Sequence, residues 1–136
     1  MKKVLFTIAL TCATLLSSAQ FTIVSSMSSP AEGDSWEISN FTNNMGIGYS
    51  LNEKIMIGTS KNGENYDVFA RYNTGFGFIC LESPTNNMSD NMDVGYGMYI
   101  NVYDNLSVNP MYMIPLNADS NGNREGGFSL GISYNL

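Results

Sequence analysis

The chain has 136 residues, with six basic and twelve acidic side chains, a formal net charge of −6 and no histidine. So acidic a surface repels nucleic acid and removes it from the candidate partners. The missing histidine takes away the commonest general base and the commonest metal ligand, so neither an enzyme nor a cofactor is expected.

Taken in order, Lys2 and Lys3 form a short basic start, Val4 to Leu16 an apolar run, and Ser17, Ser18 and Ala19 a small-residue cleavage site before Gln20. This reads as a secretory signal peptide over residues 1–19, leaving one domain over residues 20–136. A lipoprotein reading through Cys12 fits less well, because Leu10 and Thr11 make a poor lipobox and the apolar run continues past it. Losing Lys2 and Lys3 leaves four basic residues against twelve acidic ones, a net charge of −8. Cys80 is then the one remaining cysteine, which rules out an intramolecular disulfide and a thiolate metal site. With no basic neighbour close in sequence, it reads as a small apolar strand residue.

No later run approaches the roughly 18 apolar residues of a spanning helix. The rest of the chain alternates instead. Gln20 to Ser28 sets Phe21, Ile23, Ser25 and Met27 on one face, and Pro30 ends it before an acidic loop with Glu32 and Asp34. Trp36 opens the approach to a strand from Phe41 to Leu51, with Met45, Ile47 and Tyr49 opposite Gly46, Gly48 and Ser50. Asn52 and Glu53 turn the chain into Lys54 to Lys61, the clearest hairpin. Tyr66 to Tyr72 carries Asp67, Phe69 and Arg71 on its polar side, and Asn73 to Gly75 lead into Phe76 to Glu82. There Phe78, Ile79, Cys80 and Leu81 are consecutive, and either register fits.

A Pro- and Asn-rich loop, Ser83 to Asn91, precedes Met92 to Tyr103, where Val94, Tyr96, Met98, Ile100 and Val102 oppose Asp93, Gly95, Gly97, Tyr99 and Asn101. Asp104 and Asn105 turn into Leu106 to Leu116. Pro110 lies within that strand, and since proline cannot donate to a ladder, a bulge is expected there. After the Asn- and Gly-rich loop from Asn117 to Gly126, the last strand sets Phe128, Leu130, Ile132, Tyr134 and Leu136 against Ser129, Gly131, Ser133 and Asn135.

These eight two-faced strands, joined alternately by short turns and longer loops, predict an all-β, eight-stranded antiparallel up-and-down transmembrane β-barrel with its apolar face outward. The chain resembles the small outer-membrane barrels formed by the transmembrane domain of outer membrane protein A and its short relatives. Gly127 to Leu136 resembles the C-terminal assembly signal of that class, although the class usually ends in an aromatic residue and this chain ends in Leu136. The Ser18-Ala19-Gln20 junction resembles signal peptides of the Bacteroidota. The resemblance implies export to the bacterial outer membrane, with membrane lipid, lipopolysaccharide and the assembly machinery as partners. Aromatics fall where two interfacial girdles would lie: Phe21, Tyr49, Tyr72, Phe76 and Tyr134 at the turn end, and Trp36, Phe41, Tyr66 and Phe128 at the loop end.

An eight-stranded barrel is just filled by its side chains, so an open solute pore of the porin kind is not expected. Asp67, Arg71 and Asp93 form an interior charge cluster in which Arg71 is expected to pair with Asp67 or Asp93. The same cluster is also compatible with a gate in a narrow channel. Small outer-membrane barrels that modify lipids depend on a histidine base, which this chain lacks. Asp119, Asn121, Asn123 and Glu125 alternate like calcium ligands, but Arg124 stands where the pattern needs glycine, so no metal site is assigned.

The leading expectation is a non-enzymatic barrel with a structural or surface-contact role. An extracellular surface partner would be met by Glu32, Asp34, Trp36, Asp90, Asp119 and Glu125 in the loops. The alternative is a secreted or periplasmic soluble barrel holding an apolar ligand, with the faces inverted so that Phe128, Leu130, Ile132 and Tyr134 line the cavity. Few Lys or Glu lie on the small polar face, an unusual surface to present to water.

Overall fold

The computed structural model describes residues 1–18, 20–28, 33–35, 37–86, 88 and 90–136. A helix, α1 (Lys2–Ser18), covers the segment read as a signal peptide. No described helix is long and apolar enough to cross a membrane. The remainder is a closed antiparallel barrel of strands β1 (Gln20–Ser28), β2 (Met45–Ser50), β3 (Ile55–Asn62), β4 (Asn65–Asn73), β5 (Gly77–Pro84), β6 (Asp93–Met98), β7 (Ile100–Tyr103), β8 (Leu106–Pro115) and β9 (Gly127–Asn135). Strands β1 to β6 pair in sequence, β8 pairs with β9, β9 returns to β1, and β6 and β7 follow one another along β8 as a single wall strand, giving eight around the barrel. The chain's two ends of the barrel meet, Leu136 N donating to Phe21 O at 2.8 Å.

Alternation sets the faces. In β9, Ser129, Gly131 and Ser133 are buried while Phe128 and Tyr134 are exposed, and in β3 Ile55 and Ile57 face out while Met56 and Ser60 face in. The inverted arrangement that a soluble ligand carrier would need is therefore not the one adopted. At mid-height the interior is closed by large side chains, Met56, Phe69, Phe78 and Met111, packed with Val24 and Cys80. They fit because glycines face them. A Cβ on Gly58 would come within 2.8 Å of Phe69 Cε1, and one on Gly97 within 2.9 Å of Phe78 Cε2.

Three local departures from the sequence pattern have physical causes. Strand β2 starts at Met45 rather than Phe41, because residues Ile38–Asn43 form a short helix, α2, against β1. Ser25 donates to Phe41 O beneath that helix, and Asn44 Nδ2 donates to Ser26 O at 3.1 Å, satisfying the strand carbonyl that β2 leaves uncovered. At Pro110 there is no bulge. Gly97↔Met111 and Ile100↔Val108 keep one register, and the ladder is simply interrupted at Met98 and Tyr99, opposite the proline that has no N–H to give. The irregularity lies elsewhere, between Asn101 and Tyr103 beside the Asp104 turn. In β5 the ambiguous register resolves with Phe78, Cys80 and Glu82 inward, because Cys80 pairs with Arg71 and inherits its face.

Candidate functional site in the barrel interior

The interior is divided along its axis into two vestibules. The loop-end vestibule, about 430 Å³, is lined among others by Asp67, Glu82, Asp93 and Glu125. The turn-end vestibule, about 420 Å³, is lined by Thr22, Asn73, Tyr99, Asn101, Ser107 and Ser133, with Glu53 its acidic member. Between them lies the Phe69–Phe78 layer, which leaves a gap of about 10 Å³ beside Arg71, Cys80 and Glu82. Such a gap is about the size of one water molecule.

Strand β4 supplies the central charges. Asp67, Phe69 and Arg71 alternate inward, so all three side chains share the lumen, with Asp67 6% and Arg71 5% exposed. Asp67 and Arg71 are four residues apart along one strand, a rise of about 13 Å, with the Phe69 ring between them. The ion pair expected from the sequence is consequently not made. Arg71 instead lies over two rings, its guanidinium carbon 5.2 Å from the Phe69 centroid and 4.6 Å from that of Phe78, and its Nε and Nη1 have no hydrogen-bond partner. Asp67 accepts a 2.8 Å hydrogen bond from Asn62 Nδ2 on Oδ2, while its Oδ1 is buried without a partner. Asp93, half-buried, does not reach Arg71 either, because β5 stands between β4 and β6.

Glu82 belongs to the same cluster and escaped the sequence reading. It sits directly across from Asp93 on β6 and diagonally from Asp67 on β4. The signal that finds it is the short β4–β5 connection: once Arg71 faces inward, Cys80 opposite and Glu82 two residues on must do so too.

The loop residues separate into different roles. Asp34 and Asp90 are exposed. Asp119 organises its own loop, its Oδ1 accepting from Asn121 N at 2.8 Å and Asn123 N at 2.9 Å. Glu125 lies at the rim of the loop-end vestibule rather than on an outer surface alone. Glu32 and Trp36 lie outside the described residues. Among the described residues, no three acidic or cysteine side chains converge as a metal-holding group.

Comparison with family models, curated proteins and solved structures finds no match to this chain.

Proposed function

We propose that the chain is exported to the bacterial outer membrane, losing α1 on the way, and serves there as a non-enzymatic integral barrel that supports the envelope or presents its loops for surface contacts. The observation that carries this reading is the outer wall. Met45, Ile47, Ile55, Ile57, Ile79, Leu81, Tyr96, Met98, Ile100 and Ile114 are exposed large apolar residues around a barrel whose buried positions include Thr22, Ser60, Ser107, Asn109, Ser129 and Ser133. Large apolar residues exposed on so many strands are unlike the singly scattered ones of soluble monomers. In lipid, closure also matters, because a barrel leaves no backbone group unpaired.

The aromatic positions fit the same reading. Phe21 and Tyr49 stack edge-on at the turn end with centroids 5.3 Å apart, Tyr72, Phe76 and Tyr134 are exposed at that end, and Tyr66 and Phe128 are exposed towards the loop end. Rings at both rims suit two membrane interfaces. Membrane lipid and lipopolysaccharide would surround the wall, the assembly machinery would engage β9, and any extracellular partner would meet the loops that carry Asp34, Asp90 and Asp119. The test is migration of the outer-membrane fraction on detergent gels with and without boiling. A boiled-versus-unboiled shift is expected; recovery only in the soluble fraction, with no shift, removes the proposal.

A second reading, a narrow channel, draws on the two vestibules and the small gap at Arg71. It predicts planar-bilayer conductance that changes on Arg71→Met, and a silent bilayer removes it.

A further inference from the structure

The loop-end vestibule is lined by more acidic than basic side chains. Asp67, Glu82, Asp93 and Glu125 line it, against Lys61 as the one basic lining residue among the described ones. Arg71, the cation within the lumen, is held below by the Phe69 and Phe78 rings. Asp67 sharpens the point. It is more than nine-tenths buried, lines this vestibule, and its carboxyl lies within hydrogen-bond reach of that of Glu82, with no N–H donor on Oδ1. Two buried carboxyl groups held against each other with no cation between them are an arrangement that folding alone disfavours, and one that an entering cation would complete. Low-dielectric walls lined by charge of one sign also concentrate oppositely charged solutes.

The arrangement selects the kind of cation. The carboxylates of Asp67, Glu82 and Asp93 do not converge on a point, and among the described residues no group fit to hold a metal ion is present. They stand instead on three adjacent strands, β4, β5 and β6, with Glu82 and Asp93 in direct register and Asp67 on the diagonal. Neighbouring strands lie about 4.8 Å apart. At the backbone Glu82 and Asp93 are thus about 5 Å apart and Asp67 a diagonal step of about 7–8 Å from Glu82, a row that matches ammonium groups joined by short methylene chains rather than one compact ion. The lining also supplies neutral acceptors, Ser26, Ser60 and Asn62, for the remaining N–H groups, and Met111 and Met113 for the methylenes. A volume near 430 Å³ falls within the range of small-molecule sites.

We propose that the loop-end vestibule binds a linear polyamine, its ammonium groups spanning Asp67, Glu82 and Asp93. The proposal concerns the interior of the barrel and stands apart from what surrounds the outer wall. Its test is calorimetric titration of spermidine into the folded full barrel at low salt, with Mg²⁺ and Ca²⁺ titrated separately. Saturable binding of one spermidine per chain is expected, weakened at least tenfold by Asp67→Asn and by Glu82→Gln and unchanged by Asp34→Asn or by Glu53→Gln in the other vestibule. Circular dichroism melts of each variant establish that the barrel is folded; should Asp67→Asn fail to fold, Glu82→Gln and Asp93→Asn carry the test. The proposal is overturned by no saturable heat with spermidine, by equal binding in the folded interior variants, or by Mg²⁺ or Ca²⁺ binding more tightly than spermidine at the same site.

Discussion

The two halves of the lumen are built from the same strands, yet they solve the problem of buried polarity in opposite ways. At the turn end, where Glu53 is exposed at the rim, the buried polar groups are neutral and satisfy one another. Asn109, 0% exposed, donates to Ser133 Oγ at 3.0 Å, and Thr22 donates to Asn135 Oδ1 at 2.8 Å. At the loop end carboxylates join the neutral Ser26, Ser60 and Asn62, and Asp67 Oδ1 has no hydrogen-bond donor. Complete neutral networks fix a single barrel register, whereas unmet charge is a burden that a structural role alone gives no reason to keep. The turn end thus looks like scaffold and the loop end like a place where something is received.

The partition between the halves is the first thing to break. Phe78 is 0% exposed and stacks at 4.5 Å on Tyr99 while carrying the Arg71 guanidinium. Phe78→Ala should lower stability by about 3–5 kcal/mol in denaturant titrations and merge the two vestibules. Next in size is Gly58→Ala, whose added methyl meets the Phe69 ring and the Ile47 carbonyl of the neighbouring strand; a loss of about 1–3 kcal/mol is expected from the shift in unfolding midpoint.

A paired experiment sharpens the contrast itself. Asn109→Ala at the turn end should cost about 1–3 kcal/mol, because Ser133 is left without its partner. Asp67→Asn at the loop end should instead raise stability by about 2 kcal/mol, since it removes one of several like charges at an intermediate effective dielectric while an amide oxygen still accepts from Asn62. Opposite signs in urea midpoints are the expected outcome; two losses of equal size would mean that the halves do not differ in kind. The smallest effect belongs to the loops. Asp119→Ala removes two exposed hydrogen bonds from backbone N–H groups to its carboxylate and should lower the thermal midpoint by less than the equivalent of about 1 kcal/mol.

Much of this architecture was legible from alternation alone, because a period of two fixes both the strand and its faces wherever large apolar residues face small polar ones, as in Gly127–Asn135. Legibility failed where alternation was silent. Phe78 to Leu81 offered no contrast between faces, and only pairing with Arg71 turned Glu82 inward. Phe41 has strand propensity but was captured by α2, whose contact with β1 outweighs a local preference. At Pro110 the sequence announced a problem without its solution, since a gap in the ladder satisfies the missing donor as well as a bulge would. The Arg71 pairing was misjudged for a related reason. Sequence spacing puts Asp67 and Arg71 on one face, but the about 13 Å between them holds an aromatic ring.

The central claim is that the barrel wears its apolar face outward in lipid around a polar, charged lumen. It is tested most directly by placing single cysteines, in a Cys80→Ser background, at outward Ile57 and Ile132 and at inward Ser60 and Ser129, labelling each with a fluorophore, and reconstituting the barrel in brominated lipid. Strong quenching at Ile57 and Ile132 with little at Ser60 and Ser129 is the predicted result. Quenching that is absent at all four positions, or stronger at the inward pair, would contradict it.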